Sequence, residues 1–178
     1  MDSKTFHWAA QGVTLSYDVV GEGPDLLLLP ALSTISTRAE MHPLASRLAD
    51  RFRCVIPDWP GFGNAPRPRL DLSPALMRRF LDDVTAAVLS TPAGVLAAGH
   101  GATYAAMLAR ERPEALSRLV LVAPTWRGPL PTAMGENRRP LWDRIRRLVE
   151  TPAVGSLLYA LNVNPPVIRR MMRAHVYG

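Results

Sequence analysis

The stretch Gly94-Val-Leu-Ala-Ala-Gly-His-Gly-Ala-Thr103 decides how this chain folds. It is a short apolar run that turns through Gly99-His100-Gly101 directly into a second apolar segment, Ala102 to Ala109. A brief apolar run closed by glycines and followed by a longer one reads as a buried strand, a sharp turn and a buried helix. The turn is the expected centre of the fold.

Upstream, Phe6-His-Trp-Ala-Ala10 and Val13-Thr-Leu-Ser-Tyr-Asp-Val-Val20 alternate in polarity around Gln11-Gly12, which predicts a β-hairpin. After Gly21-Glu-Gly-Pro24, the run Asp25-Leu-Leu-Leu-Leu-Pro30 is apolar without alternation, as in a strand buried on both faces of a parallel sheet. Thr37-Arg-Ala-Glu40 has capping-box spacing, yet Pro43 opposes a continuous helix, so the main helix is predicted over Pro43 to Arg51, with His42 in the loop before it. Phe52-Arg-Cys-Val-Ile-Pro57 predicts the next buried strand. Ser73-Pro74 marks a capped helix start, followed by Leu76, Met77, Phe80, Leu81, Val84, Ala87 and Val88 at helical spacing. The pairs Arg78/Asp82 and Arg79/Asp83 are expected on its solvated side. Beyond the turn, a helix is expected to end near Arg112-Pro113. Ser117-Arg-Leu-Val-Leu-Val-Ala123 then reads as a further buried strand, with a proline-rich exit loop over Pro124 to Pro131.

The 178 residues are 48% hydrophobic with a mean hydropathy of +0.03, enough apolar material for one core. The net charge of +6 is unevenly placed: Met1 to Thr125 carries 12 basic and 12 acidic residues, whereas Trp126 to Gly178 carries nine arginines against three acids. This contrast marks a boundary near Pro124 and implies a core over 1–125 and a separate helical region over 126–178. In that region Leu141, Trp142, Ile145, Leu148 and Val149 share a helical stripe, with Arg144, Arg146 and Arg147 off it. Val167, Ile168, Met171, Met172 and His175 repeat the arrangement against Arg169, Arg170 and Arg173. The basic faces are expected to meet water, the other reading being a membrane surface or a polyanion.

Several classes drop out. No run approaches the about 18 apolar residues of a membrane span. The start Met1-Asp2-Ser3-Lys4 is no signal peptide, so a cytoplasmic location is expected. Cys54 is the only cysteine, which excludes an internal disulfide and a cysteine-rich metal site; inert packing is its expected role. Gly61-x-Gly63 lacks the third glycine and helix start of a dinucleotide site, so no cofactor is implied, and no nucleic-acid partner is expected.

Two motifs carry a family resemblance. Gly99-His100-Gly101-Ala102-Thr103 resembles the nucleophile elbow G-x-S-x-G of the α/β-hydrolases, and Asp58-Trp-Pro-Gly-Phe-Gly-Asn-Ala65 resembles their D-x-x-G-x-G-x-S segment. Both stand in the family's order, after a hairpin and a buried strand. The resemblance implies an α/β-hydrolase fold with a mostly parallel sheet, an N-terminal hairpin, helices on both faces and a partial helical lid over 126–178. It also implies that the family's last strands are missing, together with the loops that would supply the catalytic acid and histidine. Aligned on Gly99 and His100, the nucleophile position holds Gly101, and His100 has a scaffold role. Pro30-Ala31-Leu32-Ser33-Thr34 replaces the family's His-Gly loop, although the backbone N–H of Ala31 or Leu32 would still serve an oxyanion. The expected pocket and oxyanion residues are Ala31, Leu32, Ser33, Trp59, His100, Gly101, Ala102 and Tyr104.

Three functions follow from the resemblance: a hydrolase with an unrecognised or residual mechanism, a non-catalytic relative that binds a small molecule or a partner, or a truncated product without function. The strand Ser117 to Ala123 is expected to lack a neighbour on one side, which favours self-association through it.

Overall fold

The computed structural model of the chain describes residues 1–33, 36–65, 72–90, 92–125, 139–149, 151–162 and 164–175. The predicted exit loop beyond Thr125 and Thr34 of the predicted oxyanion loop lie outside them. The chain divides into two compact units, Met1–Trp126 and Arg127–Gly178.

In the first unit the alternating segments form β1 (Asp2–Trp8) and β2 (Val13–Val20), joined by a turn that Gly12 closes at φ 62°. The apolar runs form β3 (Asp25–Leu29), β4 (Arg53–Pro57), β5 (Ala93–Ala98) and β6 (Leu116–Val122). All six make one sheet in the order β1-β2-β4-β3-β5-β6. Its β1/β2 and β2/β4 contacts are antiparallel, and the β4/β3, β3/β5 and β5/β6 contacts are parallel. The hairpin therefore lies at one edge, and β5 is an interior strand.

Helices cover both faces because successive strand residues point to opposite sides. Leu27 and Leu29 of β3 enter the larger core with α2 (Pro74–Val88) and α3 (Gly99–Glu111); Leu28 faces the smaller one with Ala45 of α1 (His42–Leu48), Cys54 and Ile56. All three leucines are fully buried, each contributing roughly 1.5–3 kcal/mol. The Ser73 hydroxyl accepts the Leu76 N–H to start α2, which turns Met77, Phe80, Leu81 and Val84 inward. Trp8 ties β1 to this helix: its ring edge meets Phe80 at 5.4 Å, and its Nε1–H donates to Asp83 Oδ2 at 2.7 Å.

Three expectations change. His42 is the first residue of α1 rather than a loop residue, because Arg38–Met41 forms a 3-10 turn that leads into the helix. That helix ends at Leu48, since Arg51 and Phe52 both donate their N–H to the Leu48 carbonyl and turn the chain into β4. β6 is not buried on both faces: Leu119 and Leu121 pack on the larger core, while Val120 and Val122 are 44% and 46% exposed.

Among its described residues the second unit contains α4 (Arg139–Val149), α5 (Pro152–Asn162) and α6 (Pro165–His175). No helix among the described residues is long and apolar enough to cross a membrane.

Candidate active site

The sharp turn between β5 and α3 falls on Gly99, which sits at φ 53°, in the left-handed region that disfavours any residue with a Cβ. A Cβ built there meets the Ala31 Cβ at 3.2 Å and otherwise finds open space. Gly101, two residues on, is buried within the first turn of α3. A Cβ there meets the Pro30 carbonyl oxygen at 2.9 Å and the Trp59 ring at 3.4 Å. A side chain at 99 thus projects beside the loop after β3, whereas one at 101 is driven into the floor.

That floor is rigid. The Trp59 Nε1–H donates to the Pro30 carbonyl at 2.9 Å, and the ring is 2% exposed, packed on Tyr104 at 5.6 Å and Phe80 at 5.7 Å. Of the residues expected at a pocket, Trp59, Gly101 and Ala102 are buried, a Cβ at Gly101 meeting Pro30 and Trp59. Ala31, Leu32, Ser33 and His100 stand half-buried around the turn, and Tyr104 is half-buried on Trp59. Burial pushes the Tyr104 phenol up, so it stays protonated at neutral pH.

The two proposed oxyanion donors differ. The Ala31 N–H is already occupied, donating to Glu40 Oε1 at 2.7 Å. Glu40 therefore does not close the capping box that its spacing suggested; the Thr37 hydroxyl alone accepts, from Ala39 N–H at 3.2 Å. The Leu32 N–H has no acceptor among the described residues. Across the turn, the first amides of α3 are the unpaired donors of a helix start.

The printed hydroxyl contacts beside the turn, those of Thr103 and Thr125, go to backbone carbonyls. Thr103 donates its hydroxyl to the Thr125 carbonyl at 2.7 Å, and the Thr125 N–H returns to the Gly99 carbonyl at 3.1 Å, joining the turn to the segment after β6. Ala123, in that segment, is the one non-glycine with a positive φ among the described residues, at 45°. Among those residues the His100 imidazole has no polar partner. His7 meets Thr14 at 3.2 Å and His42 meets Asp18 at 2.8 Å, both on the hairpin side of the sheet. The His175 side chain lies outside the description.

The loop that carries Ala31 and Glu40 is anchored from below. Arg38 donates Nε–H to Asp18 at 2.8 Å and Nη1–H to Asp58 at 2.6 Å, and its backbone N–H goes to Asp58 Oδ1 at 2.9 Å. Asp18 and Asp58 are 3% and 1% exposed, so these are buried carboxylates that need their cation. Burial pushes the Asp18 carboxyl up, but hydrogen bonds from His42, Arg38 and Ser3 and the Arg38 charge outweigh it and leave it below the ordinary value. The D-x-x-G-x-G segment now has a reason. Gly63 turns at φ 58° directly over the Asp58 carboxylate, where a Cβ would stand 2.4 Å from Oδ1. Arg38, Glu40, His42 and Thr125 were absent from the expected site, and only the Thr37/Glu40 spacing hinted at one of them.

Among the described residues no group of three His, Cys, Asp or Glu side chains could hold a metal. Cys54 is buried, and its thiol is pushed up by burial. A cavity of about 280 Å³ between Asp25, Leu26, Gly94, Ser117 and Arg118 lies at the opposite ends of β3, β5 and β6 from the elbow.

Fold and turn together define an α/β-hydrolase scaffold. Residues 26–177 match the alpha/beta hydrolase family, and the chain belongs to it. It is 31% identical over 156 residues to a pimeloyl-[acyl-carrier protein] methyl ester esterase of Aeromonas hydrophila and 32% identical over 157 residues to one of Aeromonas salmonicida. Each match covers 81% of this chain, and the chain spans 59% of the length of these relatives. A hydrolase from Pseudomonas aeruginosa superposes with a TM-score of 0.67 at 23% identity, over 94% of this chain and 64% of its own. An alpha/beta hydrolase fold protein from Burkholderia ambifaria gives 0.66 at 22%, over 88% and 56%. These two show the fold.

Proposed function

We propose that these 178 residues bind an acyl or ester group at the elbow without cleaving it, hydrolase being their descent rather than their chemistry. The observation that carries the reading is the glycine at the turn. In this fold the nucleophile occupies the strained strand-to-helix turn, which lifts its side chain above the sheet. Gly99, at φ 53°, has such a backbone, which supports reading the motif as Ala97-Ala98-Gly99-His100-Gly101 beside the reading by spacing, which puts Gly101 in the slot. Either register puts glycine in the slot, and glycine has nothing to attack with.

What remains is a cradle. The Leu32 N–H and the N–H of His100, at the start of α3, are the donors that a carbonyl oxygen would find beside the turn. The Aeromonas relatives are named for a methyl ester of an acyl chain, and an acyl ester is the ligand class proposed here. A hydroxyl is a weak nucleophile until a positioned base takes its proton.

Purified protein is expected to turn over p-nitrophenyl esters no faster than a serum-albumin control, and to take no covalent label from a fluorophosphonate. A stoichiometric burst with one labelled residue would refute the proposal and identify the nucleophile. A hydrolase with a residual mechanism predicts that burst, so the same assay separates the two.

A further inference from the structure

The whole charge excess of the chain sits in the segment Trp126 to Gly178, where α6 carries three arginines and no acid. Arg169, Arg170 and Arg173 are spaced i, i+1, i+4, which puts them on one helix face, and with Pro166 they line an open groove of about 520 Å³. All three are exposed, and none has an acidic partner among the described residues. The preceding helix, which contacts α6, is the opposite in character. α5, Pro152-Ala-Val-Gly-Ser-Leu-Leu-Tyr-Ala-Leu-Asn162, has no charged residue, yet it exposes Leu157 at 61% and Leu161 at 55%. α4 repeats the mixture, with exposed Arg144 beside Leu148 at 55% and Val149 at 43% exposure.

Unpaired guanidinium groups alone would suit any polyanion. Among the described residues of this segment the exposed large apolar side chains are leucines and valines, which suit an acyl boundary. Their distribution over three helices also suits a boundary without fixed shape better than one complementary pocket. We propose that the unit Arg127–Gly178 adsorbs onto an anionic lipid surface, with Arg169, Arg170 and Arg173 at the phosphates and Leu157 and Leu161 in the acyl boundary. Arginines supply attraction that salt screens, and leucines supply the part that salt leaves.

The test is co-sedimentation of the full chain with vesicles of phosphatidylcholine alone and of phosphatidylcholine with phosphatidylglycerol. Binding is expected only to the anionic vesicles, and weaker at high salt. The triple change Arg169→Gln, Arg170→Gln, Arg173→Gln should lower the affinity about a hundredfold. Leu157→Ser with Leu161→Ser should lower it with the arginines intact, circular dichroism confirming that each variant keeps its helices. Equal binding to neutral vesicles, no binding at low salt, or retention on heparin without vesicle binding overturns the proposal, the last by replacing the membrane with a soluble acidic macromolecule.

Discussion

The Trp59 indole N–H and the Pro30 carbonyl oxygen are 2.9 Å apart, and the oxygen fixed by that bond is the atom that a side chain at residue 101 would strike, also at 2.9 Å. Neither partner yields easily, because Trp59 is wedged between Phe80 and Tyr104. Gly101→Ala is therefore expected to cost about 2–3 kcal/mol, the upper range for overpacking. Gly99→Ala meets only the Ala31 methyl and a left-handed φ, about 1–2 kcal/mol. Urea denaturation ranks the two, and the reverse order would mean that residue 101, not 99, faces open space.

Glu40 is exposed and holds the Ala31 N–H. Glu40→Ala should change stability by no more than about 1 kcal/mol, as for other exposed charges. Its larger effect is expected on binding, because it frees a donor and removes an anion beside the turn. A short-chain acyl ester should bind the variant more tightly than the parent, with amide shifts at Ala31 and Leu32. Unchanged affinity together with unchanged shifts would remove this loop from the ligand site.

The fold was legible in the sequence because its signals are local. Alternation in Val13 to Val20, the unbroken leucines of β3 and the helical spacing of Leu76 to Val88 each report which faces are buried, and each element formed. Which of the two glycines makes the turn was not legible. Gly99 and Gly101 are chemically identical, and only backbone conformation distinguishes the residue that turns from the residue that packs. The supports of the loop were hidden for another reason. Arg38 meets Asp18 and Asp58 twenty residues away in either direction, and no periodicity encodes such a pairing.

Removing Arg38 leaves two buried carboxylates without their cation. Arg38→Met is expected to cost about 3–5 kcal/mol, well above the effect of an exposed pair such as Arg79 and Asp83. The pH dependence follows from Asp18. Its folded carboxyl lies below the unfolded value of 3.8, so the unfolded chain takes up the proton first as pH falls. The stabilisation is thus complete well above pH 3.8 and is lost as pH drops below it. Asp18→Asn should flatten that part of the acid limb of a thermal-melt series, and an unchanged limb would assign the acid sensitivity elsewhere.

The two described edges of the sheet are unequal. β1 carries Asp2 and Lys4 and is polar along most of its length, a composition that discourages pairing with another strand. β6, Leu116-Ser-Arg-Leu-Val-Leu-Val122, has one charge and presents Val120 and Val122 about half exposed, and β5 is its only strand neighbour among the described residues. Unpaired N–H and C=O groups beside apolar side chains favour edge-to-edge association. The 178-residue chain is accordingly expected to self-associate through β6 as its concentration rises. Val120→Lys should abolish this without unfolding the core, because residue 120 faces outward while Leu119 and Leu121 keep their packing. Sedimentation velocity reads the mass, and hydrogen exchange at Leu119 to Val122 should slow in the associated species. A chain that stays monomeric, with fast exchange along β6, would show instead an exposed edge that Arg118 alone is enough to protect.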